Sequence, residues 1–181
     1  LPPIYANIHN FPVHLIFMEK CKDTLDSLIE TEALKSEEEW FSVLFQVIMI
    51  LITYNKLFSF THNDLHTNNV MYVETQQTHL TYKLNDKYYR IPTFGRIFKI
   101  IDFGRAIYEF RGRRFCSDSY AKGGDASTQY NTEPYFNPRK KRIDPNPSFD
   151  LARLAKCIFT YFFYDLDEDR KSTRMNSSHL V

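Results

Sequence analysis

Apolar residues recur along this chain in blocks whose period changes, and the changes mark out its elements. FPVHLIFMEKC (Phe11–Cys21) has an apolar, partly β-branched centre bounded by proline and charge, which predicts a buried strand. A short helix is expected over Asp23–Glu30, with Leu25, Leu28 and Ile29 on one face. Ser36 then offers a helix cap, Glu39 three residues on completes a capping box, and acids fill the first turn where the helix dipole favours them. From Trp40 to Leu57 the predicted helix is apolar nearly all round, as in a helix buried at a domain centre. Gln46, Asn55 and Lys56 argue against its spanning a membrane.

A polar loop follows, then VMYV (Val70–Val73), which is strand-like. THLTYKL and KYYRIPTF read as a hairpin with Asn85-Asp86 at its turn and Pro92 ending the second arm. Ile97–Asp102 reads as a further strand, whereas Phe103 to Asn146 is rich in Gly, Ser, Arg and Pro and is expected to be mostly irregular. A last, largely apolar helix is expected from Ser148, its possible cap. No internal repeat is visible. The layout predicts an α+β fold dominated by buried helices.

With 181 residues, 43% of them hydrophobic, the chain is long enough for one domain with a core of its own. Its 23 Lys+Arg balance 22 Asp+Glu, so nucleic acid and anionic membranes are not expected as main partners. Cys21, Cys116 and Cys157 are odd in number and widely spaced, which argues against a disulfide framework or a zinc site. They suggest an intracellular setting, cytoplasmic or nuclear, or the host cytoplasm for a viral protein. No uncharged apolar run reaches the ~18 residues of a membrane span, and the opening LPPIYANIHN is no signal peptide.

That opening suggests a fragment beginning in mid-domain. At the other end, DRKSTRMNSSH (Asp169–His179) lacks periodicity and resembles a translated sequencing adapter. Residues 1–168 are therefore expected to be the domain and 169–181 a non-native tail, an ordinary disordered tail being the alternative.

The chemistry concentrates in THNDLHTNNVMY (Thr61–Tyr72). His62, Asp64 and Asn69 are spaced H-x-D-x-x-x-x-N after an apolar helix, and further on a strand ends in Asp102-Phe103-Gly104. Each pattern alone is weak, because turns favour Asn and Asp; their joint occurrence in this order is the stronger signal. Residues 11–168 resemble the C-terminal lobe of a eukaryotic-type protein kinase with its hinge, most nearly kinase-like proteins of giant DNA viruses and haspin-like kinases.

The resemblance implies ATP- and Mg2+-dependent phosphoryl transfer to Ser/Thr hydroxyls of a protein substrate, chemistry that rests on positioning and charge rather than covalent help. It makes Asp64 the base that accepts the hydroxyl proton, with Asn69 and Asp102 as hard oxygen ligands for magnesium. Asn69 in an Asx turn and Asp102 as a strand-end cap are the non-catalytic alternatives. His62 is expected to hold the loop, and Asp150 to hydrogen-bond its backbone. Met18 flanks the implied adenine pocket, Glu19 to Cys21 form the hinge, and Met71 lies either under the adenine or simply in a strand core.

Several departures qualify that picture. Asn63 replaces the usual arginine, the usual partner of an activation-loop phosphate, which implies activity independent of phosphorylation at Ser117, Ser119 or Thr128. His66 stands where protein kinases usually carry lysine, as in aminoglycoside and choline phosphotransferases, so a small-molecule acceptor is the alternative. His66 itself either contacts phosphate or substrate or packs the loop. Tyr82, Tyr88 and Tyr89 either pack the extra hairpin down or offer a docking surface, and Glu133-Pro134 is an imperfect counterpart of the A-P-E element. No glycine-rich loop or strand lysine precedes the hinge, so the N-terminal lobe is expected to be largely missing, with the fragment poorly soluble, weak in ATP binding and inactive alone. A pseudokinase scaffold is the remaining alternative, although such a scaffold would need none of Asp64, Asn69 and Asp102.

Overall fold

The computed structural model of the protein describes residues 10, 12–13 and 15–177, with side chains to Phe163. Among the described residues it is a mixed structure of three α-helices and small antiparallel sheets, in keeping with an α+β class. Strand β1 (Asp23–Thr24) pairs with β2 (Val70–Glu74), which pairs with β5 (Arg96–Ile100). Helix α1 (Leu25–Glu30) starts on Thr24, whose side chain accepts from the Ser27 N–H. Helix α2 (Glu37–Phe58) begins with the capping box expected from Ser36 and Glu39. Helix α3 runs Ser148–Ser177.

The core lies where these elements meet. Leu25, Leu28 and Ile29 of α1, Val43 and Val47 of α2, Val70 and Tyr72 of β2, Phe98 and Ile100 of β5, and Leu154 of α3 are buried together with Leu65 of the polar loop. Alternation in β2 and β5 sends Val70, Tyr72, Phe98 and Ile100 to this core and leaves Met71 and Lys99, cross-strand partners, on the opposite face. Gln46 closes the open edge of β5: its Oε1 accepts from Phe98 N at 3.0 Å and its Nε2 donates to the Arg96 carbonyl at 3.3 Å. A glutamine inside an apolar helix is thereby satisfied, and a strand edge is covered.

The hairpin of β3 (His79–Leu84) and β4 (Lys87–Pro92) turns at Asn85 and Asp86, both at positive φ as a two-residue turn of this kind requires. Phe45 of α2 meets Tyr82 and Tyr89, each at 5.7 Å between ring centroids, so two of the three hairpin tyrosines pack it down. Tyr88 stays 70% exposed.

Three expectations need correction. The segment 15–22 forms no strand; Leu15, Ile16, Phe17 and Met18 are exposed, because no described layer covers them and only Lys22 reaches β2, its N–H donating to the Tyr72 carbonyl. Phe11 and His14 of that expected strand lie outside the described residues, as do 1–9 of the opening and 178–181 of the tail. Helix α2 is buried along one face only, with Phe41, Leu44, Ile48 and Leu57 exposed. It is the one described helix long and apolar enough to cross a membrane. The stretch after Phe103 is mostly irregular, as expected, with one short hairpin in it: β6 (Tyr108–Phe110) and β7 (Arg113–Phe115) pair through Arg111-Gly112, both at positive φ. Ser148 is the first residue of α3 rather than its cap; Asn146 accepts from the Ser148 N–H. Helix α3 itself runs on past Glu168 to Ser177, where no Pro or Gly interrupts the stretch.

Candidate active site

The polar loop after α2 is buried, and its hydrogen bonds explain how. Asp150, in the first turn of α3 and 1% exposed, accepts from the backbone N–H of His62 at 2.8 Å and of Asn63 at 2.7 Å. Burial raises the pKa of this carboxyl, while the two N–H groups oppose the rise by favouring its charged form. Two amides with no strand or helix partner are thus satisfied by one carboxylate brought from 87 and 88 residues away.

His62 is fully buried and bridges two segments. Its Nε2 lies 2.8 Å from the Ile101 carbonyl and its Nδ1 accepts from Asp64 N at 3.3 Å, which assigns the ring proton to Nε2. Phe60 and Phe103 pack on the imidazole at centroid distances of 6.3 and 5.8 Å. The ring therefore fixes the backbone on which Asp64 sits and, at the same time, the end of the strand leading to Asp102.

Asn63 occupies left-handed backbone (φ 66°), a conformation asparagine tolerates better than most residues. Its side chain is completely buried: Nδ2 donates to the carbonyls of Thr61 (3.2 Å) and Arg105 (2.9 Å), and Oδ1 accepts from the Tyr130 hydroxyl (2.9 Å). Gln129 Nε2 adds a bond to the Asn63 carbonyl at 3.2 Å. Asn63 thus ties the loop to the segment around residue 130 with neutral bonds alone.

Asp64 projects from this frame. Its Oδ1 lies 2.5 Å from Arg153 Nη2 and 3.7 Å from Arg105 Nη1, and Arg105 also pairs with Asp125 at 2.6 Å. Asn69 turns its Nδ2 to the Asp64 carbonyl (3.0 Å), which leaves Oδ1 as its acceptor. The Ile101 N–H donates to the Asn69 carbonyl at 3.0 Å, so Asp102 follows directly on a residue bonded to Asn69. Asp102 is left-handed (φ 60°), exposed, and accepts from Gly104 N at 3.3 Å. The Asn69 side chain therefore ties that residue to Asp64, and a backbone bond ties it to the residue before Asp102.

The described residues contain no group of three or more His, Cys, Asp or Glu able to hold a metal alone. Two oxygen donors, one amide and one carboxylate, suit magnesium, which keeps waters and takes further ligands from phosphates. Of the residues expected at a nucleotide base, Glu19 is drawn to the Met71–Lys99 face of the sheet by an ion pair with Lys99 at 2.7 Å. Met71 is half-buried there, Cys21 is half-buried, and Met18 is 80% exposed. His66 precedes the turn containing Asn69, and its carbonyl accepts the Asn69 N–H.

Arg105 and Arg153 were not among the residues expected here, and nothing in their local sequence marks them as partners of Asp64. Only the spacing Asp150-x-x-Arg153, one helical turn, could have pointed to an arginine beside the carboxylate that anchors the loop. In comparisons with protein families and with curated proteins, no family model and no curated protein matches the chain.

Proposed function

We propose that this chain is the catalytic-lobe part of a protein-kinase-like fold, transferring phosphate from ATP–Mg2+ to a protein Ser/Thr hydroxyl. One observation carries the reading. Asp64, Asn69 and Asp102 are fastened to one another by His62, the Asn69 amide and the Ile101 backbone, in a loop anchored on Asp150. Those are the parts that phosphoryl transfer needs from this side of a site: a placed proton acceptor and oxygen ligands for the cation.

In this reading Asp64 orients the acceptor hydroxyl and takes its proton, while Asn69 Oδ1 and Asp102 would hold magnesium, whose charge would screen the phosphoryl group. The Met71 and Glu19 side of the sheet faces the nucleotide base. A bare scaffold would need none of Asp64, Asn69 and Asp102.

The test uses the protein as its gene encodes it, with radiolabelled ATP, Mg2+ and mixed Ser/Thr peptides. Asp64→Ala should lower turnover by about 10²-fold or more with the fold intact by circular dichroism. Unchanged turnover in that variant overturns the assignment of the base, and transfer only to aminoglycosides or choline overturns the acceptor class.

A further inference from the structure

A cleft of about 800 Å³ opens beside the candidate base, between α1, the loop and α3. Its walls carry Asp26, His66, Asn68, Arg153 and Lys156. The single acid among them is engaged, since the Thr67 hydroxyl donates to the Asp26 carboxylate. The cations are less fully used. Lys156 is exposed and forms no ion pair among the described residues. Arg153 reaches Asp64 through Nη2, yet its buried Nε–H has no hydrogen-bond partner among them. The Arg153 side chain is 35% exposed, and the planar donors of a guanidinium match a carboxylate best.

Resting on the phosphotransfer reading above, we infer that this cleft binds the acceptor peptide and selects one with Asp or Glu flanking its Ser/Thr. Arg153 sits on the wall between the cleft and Asp64 Oδ1, so a segment held by Arg153 and Lys156 has its neighbouring hydroxyl within reach of the base. The same charges disfavour cationic acceptors: an aminoglycoside or choline would meet Lys156, Arg153 and only one carboxylate, already hydrogen-bonded. The cleft thus bears on the substrate class that the loop sequence leaves open.

The test is fluorescence anisotropy on the 181-residue chain without nucleotide, comparing labelled Ser peptides flanked by Asp/Glu, by phosphoserine or by Lys/Arg. The acidic peptide should bind about tenfold or more tightly than the basic one, with affinity falling as salt rises. Lys156→Glu, at an exposed helix position, should keep the thermal midpoint and cost about tenfold in affinity for the acidic peptide, with Lys156→Gln intermediate. Equal binding of acidic and basic peptides, an unchanged affinity in Lys156→Glu, or binding of the phosphoserine peptide alone overturns the inference. Because no phosphate is transferred in this assay, a chain that selects acidic peptides but never phosphorylates them sinks the phosphotransfer reading by itself.

Discussion

Two stretches of this chain invert the usual relation between polarity and burial, in opposite senses. Leu15, Ile16, Phe17 and Met18 are 75–92% exposed, although their sequence is as apolar as any in the protein. Thr61, His62, Asn63 and Thr67 are polar and no more than 6% exposed. The first stretch has apolar surface and no described layer to meet it. The second has a matched partner for its polar groups: a carboxylate for two amides, a carbonyl for an imidazole, two carbonyls and a phenol for one asparagine. Burial follows complementarity, and hydrophobicity is only its commonest form.

Breaking the match on the polar side should have the largest effect. Asp150→Ala leaves two buried backbone N–H groups without an acceptor and should cost about 3 kcal/mol or more, read from urea unfolding. Asp150→Asn should recover part of that loss, because one amide oxygen can serve one of the two donors. Equal stability of Asp150→Ala and the parent would mean that the loop is held by something other than this fork.

Tyr130→Phe tests a single bond in the same network and should cost about 1 kcal/mol at neutral pH. It also has a pH signature. Burial pushes the Tyr130 phenol up to about 12, against about 10 in an unfolded chain. The folded state thus holds this proton more tightly than the unfolded chain does. The stability it contributes is complete below about pH 10 and is lost as pH rises toward 12. Unfolding midpoints at pH 8 and 11 should show a smaller alkaline decline in Tyr130→Phe than in the parent.

On the apolar side the effect should be smallest. Phe17→Ser, at a side chain 92% exposed, should change stability by less than about 0.5 kcal/mol while improving solubility. A loss well above that would show that Phe17 packs against something in solution, and the comparison would then lose its first half.

What could be read from the sequence was local or carried by fixed spacing. The capping box at Ser36 and Glu39 and the turn at Asn85-Asp86 depend on residues within a few positions of one another. Asp150 was legible only through its resemblance to a known pattern, yet the structure brings its carboxylate to His62 and Asn63 as that pattern implied. The Arg111-Gly112 hairpin was missed although Gly112 carried a turn signal, because the arginine-rich flanks hid the strand pattern. The hub at Asn63 and the Asp64–Arg153 pair join residues far apart in the chain, and no periodicity encodes which distant groups will meet. The exposed face of α2 escaped for a related reason: composition shows that a helix is apolar, but not how many neighbours it has.

The fork at Asp150 also sets a clock. The amide protons of His62 and Asn63 are locked to a helix rather than to any ladder of their own loop, so they can exchange with solvent only when α3 releases that loop. A segment with the look of a surface turn should therefore exchange at the slow pace of the helix, opening with it as one cooperative unit.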